Sequence, residues 1–517
     1  MGKLMFGFSE VSITPDKKVS LFGQFAERIS EYVEKPITAT ALAVSDEKDQ
    51  MVLVSCDLEG VSACLCDAVR EKLKSGVFGL DPMKVVISAT HTHCGPWYEG
   101  HGNSSARYGG NPVSFAQLIE RELPPGRKYV ERAEVRGNPE LNTPQELLEF
   151  LSGRIAQAVR EAWQRRAPGS FINAFGRAAV GMCRRVRYSD GTAQMWGNTN
   201  TAVFSELEGG SDSGIELMYV FDGEKKLSCV VANLACPAQC VQHRLFVSPD
   251  FWGEVKALLR ERFGQEVLLL PLCAPAGDQC PVDLVRWVQP ESDVHDPNII
   301  REAPPARKAD PSMFDLSGMR KAGRRIAREI IDVYDEGLDE AVAEAPLVHE
   351  VRGVHLPLRR VTLTEIREAR RAVREYMLGR EGDVDYRDAA SLLNPLGILE
   401  RADLQERMEA LEAEVHIIRL ANVAFASNPF ELFLDYGNRI RARSPAEQTF
   451  LIQLANGYEG YLPTEKAEAG GHYSAFVASG LVGHEGGDQL VRMTLQGIGG
   501  LFVKQLSNAP GAGTGSV

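Results

Sequence analysis

The sequence predicts an α/β protein built on mixed sheets flanked by helices. Three observations carry this expectation. Short β-branched apolar runs alternate with helical periodicity from Phe6 to about Trp163, strand patterns dominate from Ser170 to Leu272, and strands and helices alternate again from Val415 onward. The composition of the 517 residues, 44% hydrophobic and 25% charged, is that of a globular chain and excludes collagen-like, coiled-coil and wholly disordered classes.

Met51–Asp57 and Val85–Thr90 have the length and β-branching of buried strands, and Cys64 to Leu73 between them has helical spacing, which makes a β-α-β unit. Pro124 to Pro144 is Pro- and charge-rich and reads as a surface excursion before an amphipathic helix from Pro144 to about Ala167. Strands are expected at Ala174–Arg187, Ile215–Phe221, Leu227–Leu234 and Val267–Leu272, with Ser189-Asp-Gly191 and Asp222-Gly223 as hairpin signals and a helix over Asp250–Phe263. Residues 284–312 read as a long loop able to cover a site. A helix capped by Asp315 or Ser317 follows. Residues 364–414 read as a charged helical hairpin broken near Asn394-Pro395, and strands resume at Val415–Ala426 and Thr449–Leu454 around a helix over about Pro429–Arg443. The final helix is expected over about Gly487–Ser507, and the Gly/Pro/Ser tail at 508–517 as disordered. No internal repeat is visible in the sequence.

The net charge of -13, from 57 Lys+Arg against 70 Asp+Glu, argues against nucleic acid as a partner. The basic residues Arg320, Lys321, Arg324, Arg325 and Arg328 surround one apolar helix face without interleaved aromatics and read as a solvated surface. No apolar run approaches the ~20 residues needed to cross a bilayer, and Met1-Gly2-Lys3 leads into strand-like sequence without a signal peptide's apolar core. A cytoplasmic protein without stable membrane anchoring is expected. Most of the ten cysteines sit inside apolar runs and read as reduced core residues, while Cys94, Cys183, Cys236 and Cys280 stand apart by position.

The densest chemical signal is Ala89-Thr-His91-Thr-His93-Cys94-Gly-Pro96 at a strand end, where ligands collect in α/β sheets. Histidines at i and i+2 of a persisting strand point to one side and can reach one ion or substrate; they also fit a hydrogen-bonded pair with no ligand. Thr90–Pro96, the opening Phe6–Pro15 and the Ser55-Cys-Asp57 strand end together resemble the neutral/alkaline non-lysosomal ceramidase family. So do Arg184-Arg185, Ser248-Pro-Asp250, Ala276-Gly-Asp-Gln-Cys-Pro281, Asn428-Pro-Phe-Glu431 and Tyr458-Glu-Gly-Tyr461-Leu-Pro-Thr464, in the family's order.

The resemblance implies a Zn2+ amidase in which metal-activated water attacks a carbonyl. It makes His91, Glu431 and Tyr461 metal ligands, His93 a substrate-contacting and transition-state-stabilising histidine, and Arg184 and Tyr473 donors to oxyanion or substrate. Such a set is chemically coherent, because zinc takes His and carboxylate ligands and a cation or phenol stabilises a developing oxyanion. Asp57 is a candidate to orient His91 or His93. Without the resemblance, Glu431 also fits a helix first turn, Tyr461 a packing aromatic and Arg184 a surface pair.

The departures are as informative. Cys236, in Asn233-Leu-Ala-Cys236-Pro-Ala-Gln239, falls where the family places its second zinc histidine. A thiolate can ligate zinc, so His91, Cys236, Glu431 and Tyr461 form the expected set, with His243 or His93 as replacements if Cys236 is a buried thiol. Cys280 stands where the family carries a serine, which leaves open a metal-free hydrolase pairing Cys280 or Cys94 with His93. A non-catalytic paralogue is a third reading. The expectation is one ceramidase-like catalytic domain over 1–507, with the helical insertion at about 364–414. It is expected to act on a small soluble amide or acyl substrate, because the chain lacks export and lipid-docking features and has no room for the larger ceramidases' immunoglobulin-like domain.

Overall fold

A computed structural model of the chain describes residues 2–24, 28–98, 115–129, 140–288, 308–310, 313–385, 388 and 391–503. The described residues form three consecutive units that share one order of elements. In each, a long strand pairs antiparallel with a second, a hairpin leads to a third, and a helix crosses to a fourth strand lying parallel to the third, followed by a long helix. The first unit contains strands Met5–Ser12, Thr38–Ser45, Gln50–Cys56 and Val85–Ala89, with helices Ala63–Leu73 and Pro144–Gln164. The second contains Ser170–Arg177, Gly214–Phe221, Leu227–Leu234 and Leu268–Cys273, with helices Phe251–Phe263 and Asp315–Asp335. The third contains Leu347–Pro357, Ala410–Leu420, Val423–Ser427 and Gln448–Ile452, with helices Leu434–Arg441 and His484–Val503.

This repeat is absent from the sequence pattern because packing, not residue identity, is what recurs. Alternate side chains of each sheet face opposite cores. Met51 and Leu53, Cys229 and Val231, and Val423 and Phe425 point into one central core that all three sheets share. Val52 and Val54, Val230 and Ala232, and Ala424 and Ala426 point outward onto the helices of their own unit. Burial on both faces explains why these strands read as continuous apolar runs. Hydrogen bonds knit the units at the centre: Asn233 Nδ2 donates to the Leu451 carbonyl (2.9 Å), the Gln453 amide to Cys273 (3.1 Å), and the Ala89 amide to Leu454 (3.2 Å).

Local signals behave as expected where they are strong. Thr143 and Glu146 form a reciprocal cap on the Pro144–Gln164 helix, and the 51–90 segment is a parallel β-α-β unit. Other boundaries move. The expected Ala174–Arg187 strand is three pieces, Ser170–Arg177, Met182–Cys183 and Arg185–Tyr188. The inserted helices run Leu363–Leu378 and Leu393–Leu404, so Asn394-Pro395 starts the second helix, and the strand begins already at Ala410. The helix at 315 has Phe314 at its cap without a side-chain bond, because the Asp315 carboxylate is held by Arg244 at 2.8 and 2.7 Å. Much of the long loop at 284–312, part of the 124–144 excursion and the 508–517 tail lie outside the described residues. Among the described residues no helix is long and apolar enough to cross a membrane, and no cysteine is in a disulfide.

Candidate metal centre

The carboxyl ends of the third and fourth strands of all three units meet at one place, and the segments leaving them carry the site. The first unit supplies Glu59 and Thr90–His93, the second Gln239, and the third Glu431, Tyr458 and Tyr461.

The two histidines come together by a turn and not by strand alternation. The strand ends at Ala89, the amides of Thr90 and Thr92 bond to the carbonyls of Cys56 (2.9 Å) and Leu58 (3.1 Å), and His91 adopts a left-handed φ of 63°. Such a conformation at a non-glycine residue costs of order 1–3 kcal/mol and is held by its surroundings. The rings lie 5.0 Å apart and nearly perpendicular. Gly23, at φ 97°, packs on the His93 ring so closely that a Cβ there would sit 2.4 Å from Cγ.

His91 Nδ1 is 2.6 Å from the Glu59 carbonyl, which only accepts, so this nitrogen carries the proton. Nε2 then presents a lone pair to Glu431 Oε2 at 3.2 Å, both side chains being buried. Burial opposes a charged His91, but the Glu431 carboxylate outweighs it and raises the histidine's pKa. The pair therefore calls for a cation between its acceptors, a proton or a metal ion. One ligand atom each from Glu59, His91 and His93 also lie within 4.8 Å of one another. The Tyr458 hydroxyl lies 2.7 Å from Glu59 Oε1 and 3.4 Å from Glu431 Oε1, so two buried carboxylates share one phenol. Imidazole nitrogen and carboxylate oxygen are the donors of zinc and other first-row divalent ions, and these residues fit one.

Glu431 is reached differently from expectation. It sits in the short strand Glu431–Leu432, paired in parallel with Tyr461–Leu462, and the adjoining helix starts only at Leu434. This pairing places Tyr461 beside Glu431, to which its hydroxyl bonds. Burial and the Glu431 charge keep Tyr461 a neutral phenol. Arg184 Nη2 donates to Tyr461 Oη at 3.2 Å and to the Gly277 carbonyl at 2.9 Å. The Tyr473 ring stands edge-on to Tyr461 at 5.5 Å. Gly277 permits this convergence, because a Cβ there would meet the Glu431 carbonyl at 2.3 Å.

His93 is locked by a residue absent from the expected site. Arg184 Nη1 donates to Gln239 Oε1 at 3.3 Å, so Gln239 Nε2 must face His93 Nε2, 2.8 Å away, and donate to it. His93 is thereby the neutral tautomer with its proton on Nδ1, and burial together with His91, Arg28 and Arg184 lowers its pKa well below normal. Nδ1 has no hydrogen-bond partner among the described residues.

Five expected residues are placed elsewhere. Asp57 does not orient either histidine: its Oδ2 binds Lys256 Nζ (2.7 Å) and the Thr38 amide (2.9 Å), and the Glu59 carbonyl does the orienting instead. Cys236 lies outside the Glu59–His91–His93 group, its thiol directed at the carbonyls of Val180 (3.5 Å) and Pro237 (3.6 Å), and burial with Cys280 and Cys273 nearby pushes its pKa far up. His243 stacks on Phe314 and faces Asp315 at 3.4 Å. Cys280 donates to the Val282 carbonyl at 3.3 Å, while the Cys94 thiol points at Val241 and is pushed up to about 12 by burial. With His93 Nε2 occupied by Gln239, neither thiol has that nitrogen as a base. Glu59, Tyr458 and Gln239 are the site residues that sequence reasoning missed. Tyr458 and Gln239 lie inside the quoted motifs, and a carboxylate two residues beyond Asp57 at a buried strand end was the available signal for Glu59.

No protein-family model and no curated protein sequence matches the chain. Solved structures do. A neutral ceramidase from Pseudomonas aeruginosa superposes with a TM-score of 0.66 over 100% of this chain and 76% of that one, at 16% identity. The fold is that of the neutral ceramidases. A ceramidase complexed with C2 gives a TM-score of 0.65 at 15% identity, covering 100% of this chain and 77% of the other. The neutral ceramidase fold thus embraces all three units.

Proposed function

We propose that the chain is a metal-dependent hydrolase of an amide or related acyl bond, with zinc as the ion and a small soluble N-acyl compound as substrate. The observation that carries this reading is the buried His91–Glu431 contact at 3.2 Å, bordered by Tyr461 and Arg184, in a neutral ceramidase fold. A bound divalent ion supplies Lewis acidity for carbonyl polarisation and water activation. Around it the chain's own groups divide the work. Arg184 presents donors where negative charge develops on the carbonyl oxygen, and the Tyr461 oxygen stands beside Glu431 as a ligand atom. The unpartnered Nδ1–H of His93 is the donor left for substrate, held in direction by Gln239 and by Gly23 against its ring. Tyr473 packs against Tyr461 as a substrate-facing phenol. The polar character of this lining favours a compact amide, and the cysteines without disulfides suit a reducing cytoplasm. We read 1–507 as one catalytic domain because all three units contribute to the site.

The test is turnover of a panel of N-acyl amines and amino acids by metal-loaded protein. Activity lost on chelation and restored by Zn2+, with Arg184→Met lowering kcat by about 10²–10³-fold at full metal content, is expected. Metal-loaded protein inert on the whole panel, or turnover that survives chelation, overturns the proposal.

A further inference from the structure

We infer that Glu59 is a metal ligand, and that this centre is a sulfur-free one held by His91, Glu59, Glu431 and Tyr461. The inference rests on the metal-dependent reading above and specifies its coordinating atoms.

The first support is position. Glu59 leaves the third strand of the first unit three residues past Cys56, and Glu431 leaves the third strand of the third unit four residues past Ser427. The two glutamates occupy corresponding places in two copies of one topology. Second, both carboxylates approach the hydroxyl of Tyr458, and both are almost wholly buried at 4% and 3% exposure. Two buried carboxylates brought to one phenol form a pair of oxygen donors suited to a cation. Third, the Glu59 carboxylate lies within 4.8 Å of ring nitrogens of His91 and His93, while Cys236 keeps its proton on backbone carbonyls. His93 has spent its lone pair on Gln239, so it contributes a donor to the site and not a ligand atom. An all-nitrogen-and-oxygen set binds zinc, and it accepts manganese and cobalt more readily than a thiolate site does.

The experiment uses full-length protein stripped of metal. Zn2+ affinity is measured by competition with a chromophoric chelator for wild type, Glu59→Gln and Glu59→Asp, and the absorption spectrum is recorded after Co2+ loading. Glu59→Gln should weaken Zn2+ by more than ~100-fold, beyond the 10–100-fold that follows loss of an outer partner, with Glu59→Asp intermediate. Wild-type Co2+ protein should show no sulfur-to-cobalt charge-transfer band. In the absence of metal, Glu59→Gln should unfold at a higher temperature than wild type, because one buried anion is gone, and it should gain less from added Zn2+. An unchanged affinity in Glu59→Gln overturns the assignment of Glu59, and a charge-transfer band in wild type overturns the sulfur-free set, each leaving metal dependence intact. Wild type that binds no divalent ion overturns both.

Discussion

The first and third units each present a buried glutamate past the end of their third strand, whereas the middle unit, with the same strands and crossover, presents a cysteine and a glutamine there. Glu59 and Glu431 both reach the Tyr458 hydroxyl. In the corresponding segment of the middle unit, Cys236 is turned onto the carbonyls of Val180 and Pro237, and Gln239 reaches His93 instead. One scaffold therefore separates two tasks: the outer units hold charge, and the middle unit fixes the direction of a histidine.

The largest effect belongs to the third unit. Glu431→Gln removes the anion facing His91 Nε2 and the partner of the Tyr461 hydroxyl. It should lower kcat/KM by about 10⁴-fold or more, the scale of removing one member of a catalytic set, and Zn2+ content should fall with it. Retained activity would place the chemistry away from the shared junction.

Next is Asp57, which tests whether the first unit's strand end has a structural as well as a ligand role. Its carboxylate neutralises Lys256 inside the protein. Asp57→Asn should cost about 3–5 kcal/mol in urea denaturation by leaving a buried ammonium unmatched, while the folded fraction keeps its metal affinity. Loss of metal without loss of stability would instead make Asp57 a support of the histidines.

These two positions show what the sequence disclosed and what it did not. The class of fold was legible in the β-branched runs, whereas the nearness of His91 to Glu431 was suggested only by the ordered motifs of the family resemblance. The threefold recurrence was not: Val52, Val230 and Ala424 play one packing role with unrelated neighbours, so only geometry reveals the equivalence. Nor was the choice of Lys256 as the partner of Asp57, since 199 residues separate them. Cys236 drew attention through its place in a motif, yet the side chain three residues on, Gln239, is the one the fold turns into the site.

A moderate effect is expected from Gln239→Leu, which keeps the middle unit's volume but removes the donor to His93 and the acceptor of Arg184. Freed from its lock, His93 can exchange tautomers, so kcat should fall by about 10–100-fold with Zn2+ affinity unchanged. An affinity loss as large as the kcat loss would mean that the middle unit also holds the ion.

The smallest effect, and the sharpest on the contrast between units, is expected from Cys236→Ser. A thiol that donates weakly to two carbonyls at 3.5 and 3.6 Å is replaced by a smaller hydroxyl able to donate to one of them. The lost sulfur leaves a slight void and the hydroxyl is costlier to bury, which together should destabilise by about 1–2 kcal/mol. Zinc ligation by cysteine requires the thiolate, and a thiolate here would face carbonyl oxygens in a fully buried setting that already pushes the thiol's pKa far up. Zn2+ affinity and the Co2+ spectrum should therefore be the same in Cys236→Ser and wild type, with kcat changed by less than about threefold. A tenfold or greater drop in affinity would show that the middle unit supplies a ligand after all, and that the division between charge-holding and orienting units does not hold.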